Sequence, residues 1–556
     1  MVNKPGWLRA IENSAHRGDV SSMFQLYLNY FYGTSEIDKD LSVADDYFNQ
    51  CFLFLESTKD TEYYVPENRF VLSEINLVNF RRFDSIKVRL ESNVTVFIGG
   101  NGIGKTTIID AISKVLSWIV SGIEKEGKNG SPIKYQEINN NEQCYFSDVN
   151  ALFEFGIKTK VNGTISRSKL GTAEKRDSNV VELKSIANVW RVINSINPIN
   201  LPIFLCYSIA RSHPAKRSNR PIVKEPSLLR KSRFDAYSGA LDGAGKIDDF
   251  IEWFIELHKK TSNNGFFDID LLEAQVRKLK ILSSMDADFI EMYDQKIIDL
   301  SLAKNNMQDG EFENNLKQMR TVVDAVVKVV PSIENIWVET SSGSDEVKVR
   351  NDGGIVNFSQ LSDGQRVLLS LVADLARRLV MLNPNISNPL EGQGIVLIDE
   401  IELHLHPAWQ QGIVLALKDA FPNIQFILTT HSPQILSTID KKCIRQFYID
   451  EHGALQTKSP DFQTKGVTSA DILARIMNTN SVPDIPEARL VEDFSRFLSN
   501  KNKNDALLVF QKISAHFGDE HPVTYDCINQ IKIFEMKEKI QSRIGVKGGG
   551  KDEETR

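Results

Sequence analysis

The 556-residue sequence predicts an α/β protein built on a mixed β-sheet, with helical segments at both ends. Three observations lead there. A glycine-rich loop, Gly99-Gly100-Asn101-Gly102-Ile103-Gly104-Lys105-Thr106-Thr107, stands between a short β-rich run, Val94 to Ile98, and a helical apolar pattern that begins at Thr107. Ile395-Val396-Leu397-Ile398 is wholly apolar and runs directly into Asp399-Glu400. Ile424 to Leu428 reads as another buried strand and ends at Thr429-Thr430-His431. Apolar runs of this length, alternating with helical stretches, read as parallel strands buried on both faces.

Bulk properties narrow the class. The length suggests roughly two to four domains. With 41% hydrophobic and 25% charged residues, the chain has ample material for a core. A net charge of −7 excludes a wholly basic nucleic-acid binder, although a local patch stays open. Cys51, Cys144, Cys206, Cys443 and Cys527 show no C-x-x-C and no metal spacing, which fits a reducing, cytoplasmic setting. Met1 to Pro5 lacks an apolar leader, and neither secretion nor membrane insertion is expected.

Residues 1–65 read as helical. Met23-Phe24-Gln25-Leu26-Tyr27, Tyr30-Phe31-Tyr32-Gly33 and Ala44-Asp45-Asp46-Tyr47-Phe48 follow an order that resembles one Sel1-like (TPR-like) repeat. A plain helical hairpin is the other reading. One unit cannot bury both faces, so the segment should dock elsewhere. Residues 66–440 form the main domain. Its strands begin at Phe70, and a polar loop spans about 122–147. Further strands are expected at 149–156, 162–167 and 201–209, a helical insertion at about 246–330, and a strand pair at 334–358. Helices should cover Ser362 to Leu382 and Gln410 to Ala420. Residues 441–545 carry a short strand, Gln446 to Ile449, then helices suited to partner binding, and 546–556 should be disordered. His213, Lys216, Arg217, Arg220, Lys224, Arg230, Lys231 and Arg233 make the one clear basic run. It is either a solvated loop or a surface for nucleic acid or an acidic partner.

The glycine-rich loop fits G-x-x-x-x-G-K-[ST], the phosphate-binding P-loop. Backbone N–H groups around Gly99, Asn101, Gly102 and Gly104 would converge on phosphates, helped by the helix N-terminus. Lys105 would neutralise the β- and γ-phosphates, Thr106 would place its hydroxyl on Mg²⁺, and Thr107 would line the cradle. The implied ligands are therefore ATP and Mg²⁺. Asp399 would hold the metal, and Glu400, one residue on, would polarise the attacking water.

Leu361-Ser362-Asp363-Gly364-Gln365 resembles the signature loop of the ABC ATPases, with Asp363 in place of the usual second glycine. The resemblance implies that Ser362, Gly364 and Gln365 close over nucleotide held by a second subunit. One P-loop and one signature per chain then imply a head-to-tail dimer or a higher even oligomer. His431 is placed like the ABC switch histidine. Glu402-Leu403-His404-Leu405-His406-Pro407 resembles the D-loop region of OLD-like ATPases, and no metal site is expected at its histidines. Asn79-Phe80-Arg81-Arg82-Phe83 is similar to a segment of Rad50, SMC and RecF proteins whose basic residue approaches the nucleotide, with Arg81 at the matching position. A surface arginine is the alternative. Gln136 and Gln143 both fall where a Q-loop glutamine is sought.

The chain is thus similar to ABC-type P-loop ATPases of the OLD-like, Rad50/SMC-head-like branch. It carries neither a long heptad arm nor a clustered acidic nuclease site after His431. Its length, its start and Thr468-Ser469-Ala470-Asp471-Ile472-Leu473 resemble the ATPase subunits of Septu and retron-associated antiphage systems, the PtuA family. That resemblance implies an HNH nuclease partner of PtuB type. In retron forms it also implies a reverse transcriptase with its RNA–DNA hybrid (msDNA), with nucleic acid engaged through the complex. A freestanding RecF-type repair ATPase and an OLD-type nuclease are the competing readings.

Overall fold

The computed structural model describes residues 5–56, 68–141, 143–172, 175–212, 232–243, 247–262, 276–280, 292–298, 310–340, 345–479 and 482–547. They divide into two compact units, Met1–Ile472 and Leu473–Arg556.

The strands of the first unit are β1 (Phe70–Phe80), β2 (Phe83–Arg89), β3 (Val94–Ile98), β4 (Phe146–Phe155), β5 (Thr159–Ser168) and β6 (Ile203–Tyr207). They continue with β7 (Ile333–Glu339), β8 (Glu346–Asn351), β9 (Gly354–Asn357), β10 (Gly394–Ile398), β11 (Ile424–Thr429), β12 (Ile444–Ile449) and β13 (Leu455–Lys458). The central sheet runs β13-β12-β3-β11-β10-β6. Four of its five pairings are parallel, and β13 closes the edge antiparallel to β12. Every residue of β3, β6, β10 and β11 is buried, the mainly apolar runs of strands covered on both faces. The order matters for the site. It puts the loop strand β3 two places from the acidic strand β10, with the histidine strand β11 between them.

A second, antiparallel sheet, β2-β1-β4-β5, lies over the first. Gln425, 1% exposed on β11, bonds the two sheets together. Its Oε1 accepts from the Leu72 N–H at 2.8 Å, and its Nε2 donates to the Leu72 and Glu91 carbonyls at 2.8 and 2.9 Å. The N-terminal helices Gly6–His16, Val20–Tyr32 and Leu41–Leu55 start at Asp19 and Asp40 caps in the last two cases. They pack through aromatic contacts such as Tyr27–Phe48. They dock on the antiparallel sheet, where Phe54 meets Phe155 edge-on at 4.9 Å and the Val20 N–H donates to Thr159 Oγ1.

Several boundaries differ from the sequence reading. β12 and β13 pair into the central sheet, so the ATPase unit extends past residue 440 and the second unit starts at Leu473. The expected pair at 334–358 is three strands, β7-β8-β9. The helix expected from Gln410 to Ala420 is split into Pro407–Gln410 and Ile413–Ala420, with Gly412 capping the second. The 20-residue helix Lys105–Glu124 has the length and hydropathy to cross a membrane, but two thirds of that stretch is buried within the unit. The second unit packs helices Pro486–Ser499, Lys503–Phe517 and Pro522–Lys547 around Phe494, Leu498, Ala506, Ile513 and Cys527. The tail beyond Lys547 lies outside the described residues.

Gln425→Leu keeps the volume but strips three buried backbone groups of their partners. Urea denaturation should show a loss of about 2–3 kcal/mol; an unchanged midpoint would mean that the sheets are joined by apolar packing alone.

Candidate nucleotide site

The loop after β3 turns sharply because Gly104, at φ +109°, is left-handed and caps the helix Lys105–Glu124. A Cβ there would lie 2.5 Å from Phe83 Cζ. Phe83 in turn stacks on Phe447, which stacks on Phe97 of β3. Three rings from three strands therefore form a rigid floor under the loop. Asn101 and Gly102 stand exposed at its tip, and Thr107 is half-buried in the first helical turn.

Lys105 is buried, and its ammonium donates to the carbonyls of Gly99 and Gly100 at 2.9 and 3.1 Å. These neutral oxygens occupy the ammonium inside its own loop, in the place where phosphate oxygens would compete for it. Burial pulls the lysine below its ordinary value, while Glu400, Asp399 and Glu402 counter by favouring the charge.

Asp399 ends β10 at 1% exposure. Thr106 Oγ1 donates to its Oδ2 at 2.8 Å, and Thr429 Oγ1 donates to its Oδ1 at 2.5 Å. One carboxylate therefore joins the P-loop helix to the ends of two neighbouring strands. The Thr106 hydroxyl and Asp399 carboxylate are hard oxygen donors side by side, which suits Mg²⁺ with several retained waters. Glu400 follows with a left-handed backbone, φ +49°. Its N–H donates to Thr429 Oγ1 at 2.7 Å, and its carboxylate makes no hydrogen bond among the described residues. Glu402 fixes the turn after β11, accepting from Thr430 Oγ1 at 2.8 Å and from the His431 N–H. Burial and Lys105 press His431 below its ordinary value, against the opposing pull of Glu402, Glu400 and Asp399.

Lys105, Thr106, Asp399, Glu400 and His431 are thus brought together. The signature residues are not joined to them within one chain. Ser362 caps the helix Asp363–Leu382 in a reciprocal capping box with Gln365. Gln365 is turned inward and donates to Asn351 Oδ1 at 2.9 Å, so its amide is committed to the fold. A Cβ on Gly364 would lie 2.4 Å from the His404 carbonyl, so the signature turn is seated on the segment after Glu402. Among the described residues, no hydrogen bond of these three reaches the P-loop.

Arg81 ion-pairs with Asp110 at 2.7 Å and Glu137 at 2.9 Å. Burial opposes its charge, and the two carboxylates more than offset it. Its neighbour Arg82, which the sequence pattern passed over, donates to the Gly102 carbonyl of the P-loop. Gln136 and Gln143 are both exposed. His406 caps the short helix Pro407–Gln410 through Nδ1, and no metal-binding cluster occurs among the described residues. Of the basic run, His213, Lys216, Arg217, Arg220, Lys224, Arg230 and Lys231 lie outside the described residues. Arg233 is structural: it donates to Asn194 Oδ1 and to the carbonyls of Ile199 and Leu382.

Strand order, cradle and serine-capped signature helix together define an ABC-type P-loop ATPase. Comparison with known proteins agrees and is more specific. The chain belongs to the AAA_15 family, described as AAA ATPase domain, which matches residues 71–436. It is similar to Retron Ec83 probable ATPase of Escherichia coli, 28% identical over 98% of each chain. Retron Vc95 probable ATPase of Vibrio cholerae is 29% identical over 86% of this chain and 90% of that one. Septu protein PtuA of Bacillus mycoides is 36% identical over 32% of this chain and 25% of that one. The likeness to the PtuA and retron ATPases carried by the motifs therefore extends, for the retron proteins, along nearly the whole chain.

Gly104→Ala would force its Cβ into the Phe83 ring at a backbone angle alanine avoids, a cost of about 1–3 kcal/mol. ATP affinity measured by fluorescence titration should fall about tenfold or more; wild-type affinity would show that the loop does not need this geometry.

Proposed function

We propose that this chain is the ATP-binding and hydrolysing subunit of an antiphage defence complex. It holds and regulates a partner HNH nuclease of PtuB type and, in a retron setting, works beside a reverse transcriptase carrying its RNA–DNA hybrid. The likeness to two retron ATPases, over 98% and 86% of this chain, joined to the assembled Lys105–Thr106–Asp399–Glu400–His431 cluster, is the observation that carries the reading.

Residues act as follows. The ammonium of Lys105 exchanges the Gly99 and Gly100 carbonyls for phosphate oxygens. Thr106 and Asp399 would hold Mg²⁺, which when bound neutralises phosphate charge. Glu400, with no hydrogen bond on its carboxylate among the described residues, orients and polarises water. His431 lies near Lys105, held toward its uncharged form, and would offer a ring nitrogen to the terminal phosphate. Ser362 and the helix start behind it cap that phosphate from a second copy. The nuclease chemistry belongs to the partner, and nucleotide state sets whether it is engaged.

Lys105→Ala should abolish ATP binding. Glu400→Gln should leave binding intact and slow turnover by about 10²–10³-fold. Normal turnover in the second variant would remove Glu400 from its role. Co-purification of an HNH protein with the tagged chain from its native host supports the partner assignment; its absence with and without ATP contradicts it.

pH dependence gives a separate check. Because His431 sits below its ordinary value, it is more than half uncharged where free histidine titrates, at about pH 6.5. Turnover should be lost on the acid side and should not fall as pH rises from about 6.5 to 8. A loss of rate on raising pH through 6.5–7.5 would mean that the charged imidazole is the working form.

A further inference from the structure

β6 lies beside the acidic strand β10, with Tyr207 in register with Ile398, and the Tyr207 carbonyl accepts from the Asp399 N–H at 2.8 Å. Four residues beyond β6, in the turn Ile209–Ser212, Arg211 reaches across to the end of β10. Its Nη1 donates to the Asp399 carbonyl at 2.5 Å and to the Ser208 carbonyl at 3.0 Å. Its Nη2 donates to the Glu400 carbonyl at 2.6 Å. The guanidinium fork thus grips two successive peptide oxygens at the point where the backbone turns left-handed.

We propose that Arg211 is a positioning residue for ATP hydrolysis, holding Glu400 in its working conformation by clamping the carbonyls of the two peptide links that flank Glu400. The inference rests on the ATPase reading above and on Glu400 as the water-polarising group.

A non-glycine residue in the left-handed region persists only where its surroundings over-determine it. Glu400 is held at its N–H by Thr429 and at its carbonyl by Arg211 and the Leu403 N–H. Side-chain capture of the carboxylate would spoil its chemistry, so orientation has to come through the backbone. A planar fork with two parallel donors does this; a lysine presents one point charge and cannot span both oxygens equally. Arg211 also places a cation among Asp399, Glu402 and Glu400. Burial lowers its affinity for the proton, and those three carboxylates restore part of it. Its Nε is buried without a partner, and three of its other four N–H groups donate to backbone carbonyls. The arginine would therefore act through the turn.

The test uses the full chain with ATP and Mg²⁺, reading ATP affinity and kcat separately for R211A, R211K, E400Q and the R211A/E400Q double variant. R211A should lower kcat about 100-fold with affinity within about threefold of wild type. R211K should lie between, at about a tenfold loss. The double variant should be no slower than E400Q alone, because both changes disable the same group. Wild-type kcat in R211A, losses that multiply in the double variant, or equal falls of affinity and kcat in both Arg211 variants would each overturn the assignment. If the unaltered protein shows no turnover at all, it is the ATPase reading that fails, and this inference goes with it.

Discussion

A single buried carboxylate organises the catalytic end of this molecule. Asp399 sits at the mouth of a parallel sheet with both oxygens engaged, one by Thr106 and one by Thr429. A charge at 1% exposure is tolerated only with such partners. The partners belong to the P-loop helix and to β11, so satisfying Asp399 fixes the cradle, the acidic turn and the histidine turn in one register. Strand order makes this possible. With β11 between β3 and β10, a threonine at its end reaches the aspartate while the P-loop threonine reaches it from the helix.

The helix behind the signature loop is tied to the same centre by a buried ionic cluster. Asp374 is fully buried and bonded to Arg377, Arg378 and the Tyr207 hydroxyl. Burial alone would favour its protonated form, and the two arginines outweigh that, holding it below the usual carboxylate range. Tyr207 is the residue whose carbonyl receives the Asp399 N–H. The helix behind Ser362, β6 and the acidic turn at Asp399 are therefore contiguous through hydrogen bonds. On the other side, the Gly364 backbone rests on His404, just beyond the acidic turn. A signature loop that docks on another copy's nucleotide would pull on a rigid element already joined to its own acidic turn.

The features legible in the sequence are those written in side-chain type at short range. β3, β10 and β11 announce themselves as short, mainly apolar runs, and the chemistry-bearing residues follow them directly in the chain. What was not legible depends on backbone partners or distant pairing. Arg211 is 188 residues from Asp399 and binds carbonyl oxygens, which no residue type reveals. Gln425 is hidden for the same reason: its partners are the peptide groups of Leu72 and Glu91. β9 has no buried residue and β13 none either, so neither shows a period. In the Arg81-Arg82 pair, the family pattern favours Arg81, but Asp110, one helical turn into the P-loop helix, takes that side chain and leaves Arg82 to meet the loop.

The central claim is that one copy's Ser362 completes the site built by another copy's Lys105. The most direct measurement mixes two inactive full-length variants, Lys105→Ala and Ser362→Arg, and reads ATP turnover. A head-to-tail pair gives each mixed dimer one intact composite site, so equal mixing should restore about a quarter of wild-type turnover. A mixture as inactive as either variant alone would contradict the account.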